Sequence, residues 1–110
     1  MNASYDIQAG VCGFRTRGTA ASEDSQHVTF CLESDCTKII ELAQQIALRG
    51  PLDAYNEIDP RTESILMAAA RGALTGCCAG CAVPVGLFKA MQVGAGLALP
   101  ADVCITLTQD

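Results

Sequence analysis

The chain predicts an α+β domain whose elements run β-β-β-α-α-α-β, a mostly antiparallel sheet with helices packed on one face. Three observations carry that expectation. Apolar and polar residues alternate through much of the first 34 positions, the period of a half-buried strand. Over the next sixty or so positions the apolar residues recur at helical spacing instead. At 110 residues the chain can bury somewhat over ~60% of its unfolded surface in one core and is too short for two, so residues 1–110 read as a single domain.

The elements follow in order. Tyr5, Ile7 and Ala9 alternate with polar neighbours, and residues 14–19 continue past a Cys12-Gly13 turn, which together read as a hairpin. Residues 20–25 form a polar loop. Val28, Phe30 and Leu32 then point one way while His27, Thr29 and Cys31 point the other, a third strand with one buried face. Ser34 or Asp35 is the expected cap of the first helix, whose stripe is Ile39, Leu42, Ala43 and Ile46 and whose stop is Gly50-Pro51. After a short connector, Asp59-Pro60 with Glu63 signals a second helix, buried through Ile65, Leu66, Ala69, Ala70 and Ala73. Gly76 ends it. A small-residue loop, Cys77-Cys78-Ala79-Gly80-Cys81, enters a third helix with Val85, Phe88 and Met91 at core spacing, closed by Gly94 and Gly96. Val103, Ile105 and Leu107 alternate in a final strand.

Half the residues are apolar and 17% are charged, which excludes a disordered chain. Seven Lys and Arg face twelve Asp and Glu, for a net charge of -5, and no basic cluster occurs. Nucleic acid and anionic membrane surfaces are therefore not expected partners. The first residues lack the basic and apolar regions of a secretory signal, which makes a reducing cytoplasm the expected compartment. Residues 72–101 are apolar with Lys89 as the sole charge, but Pro84 and Pro100 interrupt them. A buried helix of a soluble domain explains this stretch better than a membrane span, because a mid-span lysine costs ~3 kcal/mol or more in lipid.

Seven cysteines are the unusual feature, since an odd number cannot pair off and a chain with this much core needs no disulfide staples. Cys31 and Cys104 fall on strands and read as small strand residues. The other five fall at turns and helix starts: Cys12 in the hairpin turn, Cys36 at the head of the first helix, and Cys77, Cys78 and Cys81 before the third. Unsatisfied amides at a helix N-terminus favour the thiolate, the form a metal needs. Three such loops can gather at one end of a sheet and supply four thiolates to zinc or an iron-sulfur cluster. The expected metal ligands are Cys12, Cys36, Cys81 and one of Cys77 or Cys78, with Cys77 preferred for its longer gap to Cys81.

The Val11-Cys12-Gly13 turn, the strand from Phe30 running into a helix at Cys36, the Arg49-Gly50-Pro51-Leu52-Asp53-Ala54 connector and Cys81 resemble the three-cysteine pattern of NifU/IscU-type iron-sulfur cluster scaffold proteins. The resemblance covers residues 5–93 and extends to Cys12, Cys36 and Cys81. It implies a nascent cluster or a zinc ion held by those three thiols, and protein partners that donate or accept the cluster. Phe14 stands where that family has an Asp after Cys-Gly, and Gly80 where it has a His beside its last cysteine. Fewer labile ligands and more thiols imply a more permanent four-thiolate site. The Cys-Gly-Phe, Glu-Ser-Asp-Cys and Cys-x-Val-Pro segments also resemble a small prokaryotic family with no assigned function.

The leading expectation is thus a non-enzymatic metal-thiolate protein with a scaffold, structural or electron-transfer role. The alternative is a thiol oxidoreductase or sulfur carrier with Cys81 as nucleophile and Cys77 or Cys78 resolving it. A third reading is an interaction module that packs as a homodimer through residues 72–101. His27, the only histidine, reads as an exposed strand residue, and Asp35 as a helix cap. No Ser-His-Asp set or Gly-rich phosphate loop is present, which leaves hydrolase and nucleotide-binding functions without support.

Overall fold

A computed structural model describes all residues, Met1–Asp110. Three strands, β1 (Asn2–Gln8), β2 (Arg15–Ala21) and β3 (His27–Ser34), pair antiparallel in chain order. Opposite positions include Ile7 with Thr16, and Thr16 with Ser34. Helix α1 (Thr37–Leu48) follows, then a two-residue strand β4 (Leu52–Asp53) that returns to pair with His27 and Val28. Next come a short helix α2 (Ala54–Ile58), helix α3 (Ile65–Ala73), a 3-10 turn (Gly76–Gly80) and helix α4 (Val83–Gly94).

The expected α+β class holds, with the helices on one face of an antiparallel sheet. Helix α4 packs over β1 and β2, and α1 lies against β3 and α3. Seventeen buried apolar residues form one core cluster, among them Val28, Leu42, Leu66, Leu87 and Met91. The alternation expected of β3 is observed: Val28 is buried while His27, Thr29 and Cys31 are exposed. In α1 the buried stripe is Ile39, Leu42 and Ile46, and Gly50 takes up the left-handed conformation (φ 70°) that ends the helix.

Four expectations are corrected. The final strand is absent: residues 98–110 form no helix or strand, make no backbone hydrogen bond and are exposed throughout, because an alternating segment becomes a strand only where it pairs. The second helix begins at Ile65 rather than at Asp59-Pro60. Asp59 caps a turn instead, its carboxylate accepting from the Arg61 N–H (2.9 Å), and Ser64 is the true N-cap of α3, accepting from the Met67 N–H (3.0 Å). The extended backbone of β3 persists through Cys36 (φ -88°, ψ 119°), so Cys36 rather than Ser34 or Asp35 holds the N-cap position of α1. Finally, α4 presents Val83, Leu87, Ala90 and Met91 to the core, while Val85 is exposed and Phe88 is half-buried.

The segment Gly76–Gly94 is long and apolar enough, by length and composition, to cross a membrane. It is not one continuous α-helix. The backbone breaks at Cys81 and Ala82 between the 3-10 turn and α4, and α4 carries much of its apolar surface into the core.

Candidate metal centre

The site assembles at the end of the sheet where β1 turns into β2 and β3 runs into α1. Gly10 and Gly13 both adopt positive φ (98° and 73°), and the Gly13 N–H donates to the Gly10 carbonyl at 2.9 Å, which makes the tight turn that exposes Cys12. Directly below, Thr16 on β2 and Ser34 on β3 share a hydroxyl hydrogen bond of 2.9 Å, and the Cys36 N–H donates to the same Ser34 Oγ at 3.2 Å. The hairpin and the head of α1 are thus held to each other through one serine.

Two further ties bring in the third cysteine segment. Lys38, in the first turn of α1, donates from Nζ to the Thr75 carbonyl at 3.4 Å, which sets the 3-10 turn beside the head of α1. Ile7, near the end of β1, packs against Gly86 in the first turn of α4, which sets the start of α4 beside the hairpin. Within the 3-10 turn the Cys78 N–H donates to Thr75 (3.2 Å) and the Cys81 N–H to Cys78 (3.1 Å). Residues i and i+3 eclipse in a 3-10 helix, so Cys78 and Cys81 share a side that Cys77 does not.

Burial sorts the seven thiols accordingly. Cys36, Cys78 and Cys81 are half-buried and pack against the core; Cys12, Cys31, Cys77 and Cys104 are exposed. All seven are free. Burial pushes the Cys81 thiol above its ordinary range, and negative charge on Cys12, Cys36 and Cys78 pushes the same way, partly offset by the Val83 N–H. Those three thiols therefore lie in the neighbourhood of Cys81. No three His, Cys, Asp or Glu side chains stand at the spacing of ligands on one ion.

Of the sequence-derived ligands, Cys12, Cys36 and Cys81 come to the same end of the domain. Of the two candidates for the fourth position, Cys77 is exposed and Cys78 is half-buried against the core. The signal for this was in the sequence, as the three-residue step from Cys78 to Cys81, but it discriminates only once the backbone is known to be a 3-10 turn. Beside Cys81, a cleft of about 280 Å³ opens between α3 and α4, walled by Met67, Leu74 and Pro84, with Arg71 its one charged lining residue. His27 lies away from this end, bonded through Nδ1 to Asp24 at 2.7 Å, with Nε2 4.0 Å from Asp53 on β4. Asp35 is exposed and is not the N-cap residue.

The chain belongs to a family of unknown function, DUF6951, whose model matches residues 3–107. No curated protein and no solved structure matches it.

Proposed function

We propose that this DUF6951 member is a metal-thiolate protein in which Cys12, Cys36, Cys78 and Cys81 hold one zinc ion or iron-sulfur cluster. The observation that supports this best is the gathering of four thiols from three separate segments at one end of the sheet, each segment tied to the next by a named contact. Four thiolates suit either centre, since both accept tetrahedral sulfur ligation. Reaching ligand spacing requires a local adjustment, and the glycine-flanked, exposed turn bearing Cys12 is the segment free to make it. Such a centre would supply folding energy or an electron-transfer or transfer-scaffold role, without a catalytic step by the chain's own residues.

The resemblance to NifU/IscU-type scaffolds extends to Cys12, Cys36 and Cys81 and adds partner proteins that donate or accept a cluster. A reducing compartment, the cytoplasm, fits free thiols of this kind. The alternative, thiol exchange at Cys81, needs a depressed thiol pKa, and the burial of Cys81 acts in the opposite direction. Anaerobic purification followed by absorption spectroscopy and metal analysis tests the proposal. One metal centre per chain is expected. Protein that is metal-free under both anaerobic and zinc-supplemented conditions overturns it.

A further inference from the structure

Two unpaired features of this fold match each other. The first is an edge. β4 covers only His27 and Val28 of β3, so residues 29–34 present one side of their backbone to no strand. Beside that edge, between β3 and α1, runs an open groove of about 820 Å³ whose apolar wall includes Phe30, Leu32, Ile40, Ala43 and Ala47, and in which Glu33 is the only charged residue. The opposite edge strand, β1, also pairs on one side only, but its apolar face is already taken: α4 packs over β1 and β2, with Gly86 against Ile7 and Gly94 against Ala20, and no groove of this kind runs beside it.

The second feature is a strand without a sheet. The last backbone bond of the body is from the Leu97 N–H to the Gln92 carbonyl (2.7 Å), and residues 98–110 make none. Within them Val103, Ile105 and Leu107 alternate with Cys104, Thr106 and Thr108, and the three apolar side chains stand in solvent at 58%, 68% and 88% exposure. Residues 103–108 carry no charge and equal in number the uncovered residues 29–34 of β3. An exposed apolar alternation and an open strand edge are each an association hazard that folded proteins ordinarily cover.

We infer that residues 103–108 of a second copy of this chain add as a strand to the open edge of β3, reciprocally, to form a symmetric dimer. Main-chain hydrogen bonds to residues 29–34 supply the pairing, and Val103, Ile105 and Leu107 enter the groove over Phe30 and Leu32. A second copy is the occupant because the tail leaves the body from the other side of the sheet. Gly94 lies against Ala20, and Gly96 lies beside Met1, after which no residue of the tail returns to its own domain by a backbone bond. Exchange of identical strands between two such copies closes on itself and leaves no free end. The parity of strands then assigns a place to two cysteines outside the proposed metal centre. With Ile105 facing the groove, Cys104 lies on the open face of the extended sheet, the face that Cys31 occupies on β3.

Light scattering on the eluting full chain, with and without a chelator, reads the assembly independently of any metal. Twice the chain mass is expected, falling to the single-chain mass when residues 98–110 are deleted. Ile105→Asp and Ile40→Glu, both at exposed positions, should each raise the dimer dissociation constant about tenfold or more, because a charge would be buried in the groove. A bismaleimide cross-linker should join Cys31 of one copy to Cys104 of the other in peptide mass spectra. A full chain that is monomeric at every concentration overturns the inference, as does a dimer that survives the deletion. A Cys31–Cys104 link found only within single chains also overturns it, by assigning the tail to its own edge.

Discussion

Ile7 on β1 occupies the space that a side chain on Gly86 of α4 would need, its Cγ1 lying 2.9 Å from where a Gly86 Cβ would stand. This contact presses the start of α4 against the hairpin, and so sets Cys81 near the turn that carries Cys12. Gly86→Ala should cost about 1–3 kcal/mol of stability, the usual penalty of overpacking. Urea unfolding of Gly86→Ala, Ile7→Val and the double variant checks this. The double variant should lose less than the sum of the two, and strictly additive losses would show that Ile7 is not what Gly86 accommodates.

Serine substitutions separate the cysteines. Cys12→Ser, Cys36→Ser, Cys78→Ser and Cys81→Ser should each lower metal content and the thermal midpoint, since structural metal binding contributes on the order of 10 kcal/mol to folding. Cys31→Ser, Cys77→Ser and Cys104→Ser should keep the metal. Cys77 and Cys78 are the decisive pair: metal analysis showing Cys77→Ser depleted and Cys78→Ser loaded would reverse the choice between them.

Glu57 is a buried carboxylate that caps α3 from α2. It accepts from the Leu66 N–H (2.8 Å) and the Ser64 hydroxyl (3.1 Å) through Oε1, and from the Ile65 N–H (2.7 Å) through Oε2. Glu57→Gln keeps the shape but turns one acceptor into a donor facing other donors, for an expected loss of about 1–3 kcal/mol. Chemical denaturation measures it directly. An unchanged midpoint would mean that water satisfies these amides as well as the carboxylate does.

The His27–Asp24 pair gives stability a mild dependence on pH. The hydrogen bond to Asp24, aided by the charges of Asp24 and Asp53, raises the His27 pKa above its ordinary value. Its contribution is therefore fully present below about 6.5, the unfolded value, and is lost as pH rises through the folded pKa. Bonds from the His27 and Gln26 backbone and the His27 ring hold Asp24 well below the usual carboxylate range. That contribution is present above about 4 and disappears only in acid. Thermal midpoints across neutral pH should fall slightly for the parent and stay flatter for His27→Gln. Parallel profiles would remove the pair as a source of pH dependence.

Much of the fold was legible because its signals are local. The β1–β2 hairpin announces itself by alternation around a glycine turn, β3 by the parity of Val28 against His27 and Cys31, and α1 by a stripe that Gly50 ends. The misplacements came where local signals compete. Asp59-Pro60 is a good helix start, but Ser64 is held in place by a Glu57 that only folding brings near, and the stripe of α4 is rotated because Gly86 and Gly94 let the sheet approach there, against Ile7 and Ala20. Five cysteines at turns and helix starts were visible as a group, while the exposure of Cys77 and the half-burial of Cys78 depended on a 3-10 backbone.

By itself, then, the order of residues determined the α+β class, the antiparallel hairpins and the segments in which thiols collect, because each depends on neighbours within a turn or a strand pair. Tertiary structure alone decided that those segments meet, through Ser34 between the hairpin and α1, Lys38 reaching Thr75, and Ile7 seated on Gly86. It also decided that residues 103–108, a strand by pattern, carry no pairing within their own domain. A strand needs a partner edge as well as an alternating sequence, and the position of that edge is a property of the whole fold.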